Sequence, residues 1–131
     1  MPGLGEFSLA LYRGEELVYF SRKPGLVPLL ECISFVKGKG HILHDKVIGL
    51  AAARLIAYSG IISEVFTPVA SIAAKQHLKK KGIALHADIL VPQIINKAKT
   101  GPCPMEEKAG PLTDEGFYLA LKESPTSRAP S

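Results

Sequence analysis

The stretch from Asp45 to Ser59 constrains the fold more than any other part of the chain. Val47, Ile48, Leu50, Leu55 and Ile56, together with Gly49, Ala51, Ala52, Ala53 and Ala57, surround most of a helical cylinder, and Gly60 follows as a natural stop. A helix that is apolar nearly all round is a buried one. Its small residues let it sit close against a sheet. Arg54 is the one charge in its middle and reads as a rim residue with a buried stem. A chain of 131 residues has room for one core, so the remaining segments must supply the sheet under this helix.

Those segments alternate between strand and helix patterns. Phe7 to Tyr12 and Leu17 to Phe20 are apolar runs separated by Arg13-Gly14-Glu15-Glu16, which predicts a hairpin with Gly in the turn. Pro24-Gly25 breaks the chain, and Leu26 to Phe35 has helical spacing. Lys37 to Gly40 is a loop that lacks the full phosphate-binding spacing. Ile61 to Val69 reads as a strand with Pro68 near its end. Ser71 then caps a helix over Ile72 to Lys81, and Ile83 to Val91 is the next strand. A helix between two such strands predicts a parallel crossover. Gln93 to Lys97 fits a short helical turn, Thr100 to Pro111 a loop, and Thr113 a cap for a last helix over Asp114 to Glu123. The expected architecture is α/β: a hairpin, then helix, helix, strand, helix, strand, forming one sheet with helices on its faces. Residues 6–123 form the single expected domain, and 124–131, rich in Pro and Ser, the expected disordered tail.

Composition narrows the function classes. The net charge of +4 is mild, and its only dense run, Lys79-Lys80-Lys81 with Lys75 one turn earlier, reads as a solvated helix end rather than a nucleic-acid patch. Two cysteines are too few for a disulfide scaffold, which fits a reducing cytoplasm. No apolar run approaches the ~20 residues that span a bilayer. The first residues lack the basic-then-apolar order of a signal peptide. A small sheet with an apolar helix surface points to a homo-oligomer.

Several residues could carry chemistry. Asp45 falls where the long helix is predicted to start and would cap it. Lys46 would then sit in the first turn, against the helix dipole. Either the pair compensates itself, or the Lys46 ammonium faces an anionic ligand at the helix N-terminus. His41 and His44 flank the same junction; two loop histidines are expected to face solvent, and zinc needs more ligands than two. His86 and Asp88 share a strand face, as an acid/base pair or, more simply, as a strand-edge hydrogen bond. Cys32 lies within a helical apolar pattern and reads as core. Cys103, held between Pro102 and Pro104, reads as a nucleophile with Glu106 as acid/base partner, or as a residue packed beneath a rigid loop.

Asp45-Lys46-Val47-Ile48-Gly49, then Ala51-Ala52-Ala53, with Asn96 and Cys103-Pro104-Met105-Glu106 downstream, resembles a small prokaryotic domain-of-unknown-function family with a cytidine-deaminase-like fold, over residues 7–107. The resemblance implies a three-layer α/β/α sandwich whose site forms at the N-termini of two helices, places it assigns to Asp45-Lys46 and to Thr67 to Ser71. The first reading of these residues is a metal-independent enzyme acting on a small anionic or nucleotide-like molecule: Lys46 and the helix N-terminus hold the anion, Asp45 or Glu106 moves protons, Cys103 is nucleophile or acid, and Ser71 and Asn96 are further ligand contacts. The chain departs from true zinc deaminases. His44-Asp45-Lys46 puts lysine where the catalytic glutamate belongs, and Pro68-Val69-Ala70-Ser71 contains no cysteine. Zinc is therefore not expected, and no other cofactor is implied. A non-catalytic ligand-binding or regulatory module on the same scaffold is the alternative.

Overall fold

A computed structural model describes residues 7–23, 26–92, 94 and 109–123. The chain opens on a hairpin of β1 (Leu9–Arg13) and β2 (Glu16–Ser21). Arg13 pairs with Glu16, leaving a two-residue turn whose first position, Gly14, has φ 63°, a conformation that side chains resist. Helix α1 (Val27–Phe35) follows, with Pro28 in its first turn, where a missing N–H costs nothing.

The residues expected to begin the long helix are extended: β3 (His41–Asp45) and β4 (Val47–Ile48) precede α2 (Leu50–Ser59). Helix α2 is five residues shorter than predicted at its start and ends at Gly60, whose φ of 69° makes the left-handed cap. Beyond it lie β5 (Ile62–Ser71), α3 (Ile72–Lys80) and β6 (Ala84–Val91); α4 (Asp114–Glu123) closes the described chain.

The six strands form one mixed sheet. β1 is antiparallel to β2 and β3, whereas β3, β4 and β6 all run parallel to β5, as the predicted crossover requires. β3 and β4 lie on the same side of β5 in one register: His44 is opposite Phe66 and Val47 opposite Val69, each 22 residues on. They are one strand interrupted at Asp45-Lys46.

Leu9, Leu11, Leu43, Val65 and Leu85 of the sheet share a core with Leu29 and Cys32 of α1, Leu55 and Ile56 of α2, Leu78 of α3, and Phe117 and Leu121 of α4. Each large apolar side chain buried here contributes roughly 1.5–3 kcal/mol. Helix α2 packs against α3 and α4 and reaches α1, so the described helices form one layer on one face of the sheet. The second helical layer of a three-layer sandwich is not among the described residues. On the opposite face, Tyr12, His44, Phe66 and His86 make a row of ring contacts across β1, β3, β5 and β6. No helix among the described residues is long and apolar enough to cross a membrane.

Candidate functional site

The sheet opens between β3 and β4, and Asp45 and Lys46, two of the residues the sequence singled out, lie there. In a regular strand, residues facing the helices are an even number apart. Between Leu43 and Ile48, both in the core, the interval is five; between Val65 and Ala70, also both in the core, it is five again. Each strand therefore takes up one extra residue, and because both do so the register survives the break. Pro68 gives the physical cause. It has no N–H for the ladder, and a proline inside a sheet is confined to such irregularities. Thr67 closes the gap on its own strand: its hydroxyl donates to the Val69 carbonyl at 3.0 Å and accepts the Val69 N–H at 3.3 Å.

Asp45 closes the gap on the other strand. Its carboxylate Oδ1 accepts the Lys46 N–H at 2.8 Å. The group is half-buried at the carboxyl end of β3, and lost hydration raises it from the usual 3.8 to about 7, against the opposing pull of the Lys46 N–H and ammonium. Near neutral pH it therefore populates both an acceptor form and a donor form. Lys46 beside it is exposed. From this edge α2 starts after Gly49, which offers no side-chain cap, and α3 starts after Ser71, whose hydroxyl accepts the Ala74 N–H at 3.1 Å. Open α/β sheets bind ligands outside the carboxyl ends of their strands, where helix N-termini attract negative charge.

The model of a domain of unknown function, DUF1893, matches residues 4–122, nearly the whole chain. The chain belongs to the DUF1893 family. No curated protein matches it. It is similar to the crystal structure of a DUF1893 family protein from Thermotoga maritima, with a TM-score of 0.82 over 92% of this chain and 82% of that one. At 23% identity, that likeness speaks for the fold.

In this DUF1893 protein Asp45 and Lys46 have other surroundings than the sequence implied. Asp45 does not cap a helix, because α2 begins at Leu50; it ends a strand. Lys46 does not oppose a helix dipole from the first turn; it lies in the strand break. Ser71 caps α3 as expected, and this same bond occupies an acceptor site of the hydroxyl assigned to ligand contact. Asn96, Cys103 and Glu106 lie outside the described residues, as do Gln93 and the tail 124–131.

The histidines are a second correction. His41 and His44 belong to β3 and are buried, not loop residues facing water. His41 donates through Nδ1 to the Ile61 carbonyl at 3.1 Å. His44 stacks on Phe66 with Tyr12 at its edge, and burial lowers its pKa, so it is held neutral. His86 Nε2 donates to Glu64 on the neighbouring strand at 2.7 Å, so its described partner is not Asp88. Among the described residues, no group of three or more His, Cys, Asp or Glu is placed to hold a metal. Cys32 is core as predicted, and burial pushes its thiol up to about 12.

A second polar cluster escaped the sequence reading. Asp114, at the start of α4, meets Arg54 of α2 at 3.2 Å, His77 of α3 at 2.7 Å and Lys81 at 3.7 Å. Arg54 also donates to the carbonyls of Ala109 (2.7 Å) and Gly110 (3.1 Å). Arg54 is thus a clamp that docks α4 rather than a simple rim residue. Only its isolation in the middle of an apolar helix hinted at this role.

Proposed function

We propose that this DUF1893 protein binds a small anionic or nucleotide-like ligand at the carboxyl edge of its parallel strands, on a scaffold of the three-layer, cytidine-deaminase-like type, without a catalytic zinc. The observation that carries the reading is Asp45, a carboxyl kept at a burial cost in a strand break, with its pKa raised to about 7, beside the Lys46 ammonium. In its protonated form Asp45 donates a hydrogen bond to a phosphate or carboxylate oxygen, or to a ring nitrogen of a base. Lys46 adds the positive charge, and the starts of α2 and α3 add their dipoles. The order of elements, a hairpin followed by helices alternating with parallel strands, supports the scaffold part of the reading.

The hydroxyls of Thr67 and Ser71 at this edge are both engaged with backbone groups of their own segments. Among the described residues, the hydrogen-bond partner of Asp45 is the Lys46 N–H. The test is calorimetric titration of inorganic phosphate and nucleoside monophosphates at pH 6 and pH 8, with and without a chelator. Tighter binding at pH 6, no effect of the chelator, and loss of affinity in Lys46→Ala are expected. Equal affinity in Lys46→Ala, or chelator-sensitive binding, refutes the proposal.

A further inference from the structure

We propose that the outer edge of β6 is the surface through which two copies of this chain pair, antiparallel and centred on Ala87. The inference is independent of the ligand site.

β6 borders the sheet. It pairs with β5 alone, with a constant offset of 20 residues from Ala84 to Val91, and no described strand lies on its other side. An edge of this length presents unused backbone N–H and C=O groups, which natural sheets blunt with proline, lysine or a bulge. Ala84 to Val91 holds no proline and no lysine. Among the described residues, Lys75 approaches it, with Nζ 3.5 Å from the Leu85 carbonyl, at the limit of a hydrogen bond. Further along the strand, Ile89 is 58% exposed and Leu90 44%.

The sequence of this edge is complementary to itself. Centred on Ala87, antiparallel pairing puts His86 opposite the second copy's Asp88, and Asp88 opposite its His86. Moving the centre one residue back sets His86 against His86; moving it one forward sets Asp88 against Asp88, and like charges directly opposite destabilise a pair. Both residues are exposed, and His86 already donates to Glu64, so the paired edge would line up Glu64, His86 and the second Asp88. Antiparallel pairing also separates the lysines. Lys79-Lys80-Lys81 ends two residues before β6, so the two runs lie at opposite ends of the seam. The other sheet edge, β2, exposes Leu17, Val18 and Phe20 but has no such His/Asp spacing.

The test is mass in solution, by sedimentation equilibrium from micromolar to about 0.5 mM protein. A dimer, twice 14.1 kDa, is expected. Ile89→Lys and Asp88→Lys should each weaken it about tenfold or more, while Val18→Lys on β2 leaves it intact. Circular dichroism and thermal melting establish that each variant is folded. Register is tested with Ala87→Cys in a Cys103→Ser background, because the paired Cα atoms would be about 4.5–5.5 Å apart, within disulfide reach. Mild oxidation should give a covalent dimer. A monomer at every concentration overturns the proposal. So does a dimer lost in Val18→Lys but kept in Ile89→Lys, and so does a stable dimer that Ala87→Cys fails to cross-link.

Discussion

Replacing Asp45 by Asn should stabilise the protein above neutral pH and remove part of its pH dependence. The substitution keeps the shape of the side chain, and the amide oxygen accepts the Lys46 N–H as the carboxylate does. What disappears is the cost of ionising a desolvated acid. A folded-state pKa near 7 against an ordinary value of 3.8 corresponds to about 4 kcal/mol when the group is fully charged. Asp45 retains contact with water, and screening there reduces the expected gain to roughly 1–3 kcal/mol.

The sign follows from proton counts. Between pH 4 and 7 the folded chain holds a proton at Asp45 that the unfolded chain has released, so stability falls as pH rises through this window. Below the unfolded value the acid is neutral in both states, and the cost vanishes. His44 acts in the opposite direction, since its lowered pKa removes stability as pH falls below its ordinary range. The wild-type curve mixes both effects, whereas the difference between Asp45→Asn and wild type isolates Asp45. Urea unfolding from pH 4 to 8 measures that difference. It should be near zero at pH 4 and reach its full size by pH 8, as a midpoint higher by about 1 M for a gain of ~2 kcal/mol. A difference that does not change with pH, or that is largest at pH 4, refutes the claim that a desolvated acid occupies the strand break.

Three further outcomes test the framework around the site. Asp114→Ala should cost about 1–3 kcal/mol, because it leaves Arg54 and His77 without their shared carboxylate; amide exchange should show α4 losing protection before the sheet does. Ser71→Ala removes the cap of α3 and should lower stability by ~1 kcal/mol in denaturant titration, with Ser71→Gly costing less. Cys32, with its thiol at about 12 in a closed core, should resist iodoacetamide at pH 8 in the native protein and react at once in urea; labelling of Cys32 without urea, read by peptide mass spectrometry, contradicts the core assignment.

The legible parts of this fold are those where a local signal and the tertiary environment agree. Helix α4 runs from Asp114 to Glu123 as predicted, because Thr113 accepts the Gly116 N–H at 3.0 Å and Phe117 and Leu121 face the core. Ser71, Gly14 and Gly60 likewise act where their chemistry places them. The strand His41–Asp45 was not legible. It offers only Ile42 and Leu43 as strand formers, its histidines imitate a polar loop, and the apolar run after it extends a helical pattern backward. Two features of that run argued otherwise. Val47 and Ile48 are β-branched, and Gly49 inside a helix costs about 1 kcal/mol. Together they mark the strand and the turn into α2.

That misplacement also shows why Asp45 and Lys46 stood out in sequence while the cause of their oddity did not. Asp45 and Lys46 look unusual in any helical reading, since a lysine in a first turn is unfavourable. In the fold they are unusual for another reason: they sit opposite Thr67-Pro68, where a proline prevents the ladder from closing. The anomaly is therefore a property of two segments about twenty residues apart, visible only once β3, β4 and β5 share a register. A purely structural break would be served as well by asparagine, which satisfies Lys46 without the burial cost of a charge. If Asp45→Asn is more stable and still folds, stability does not explain the aspartate, and the pH-dependent binding expected at this edge becomes the reason to keep it.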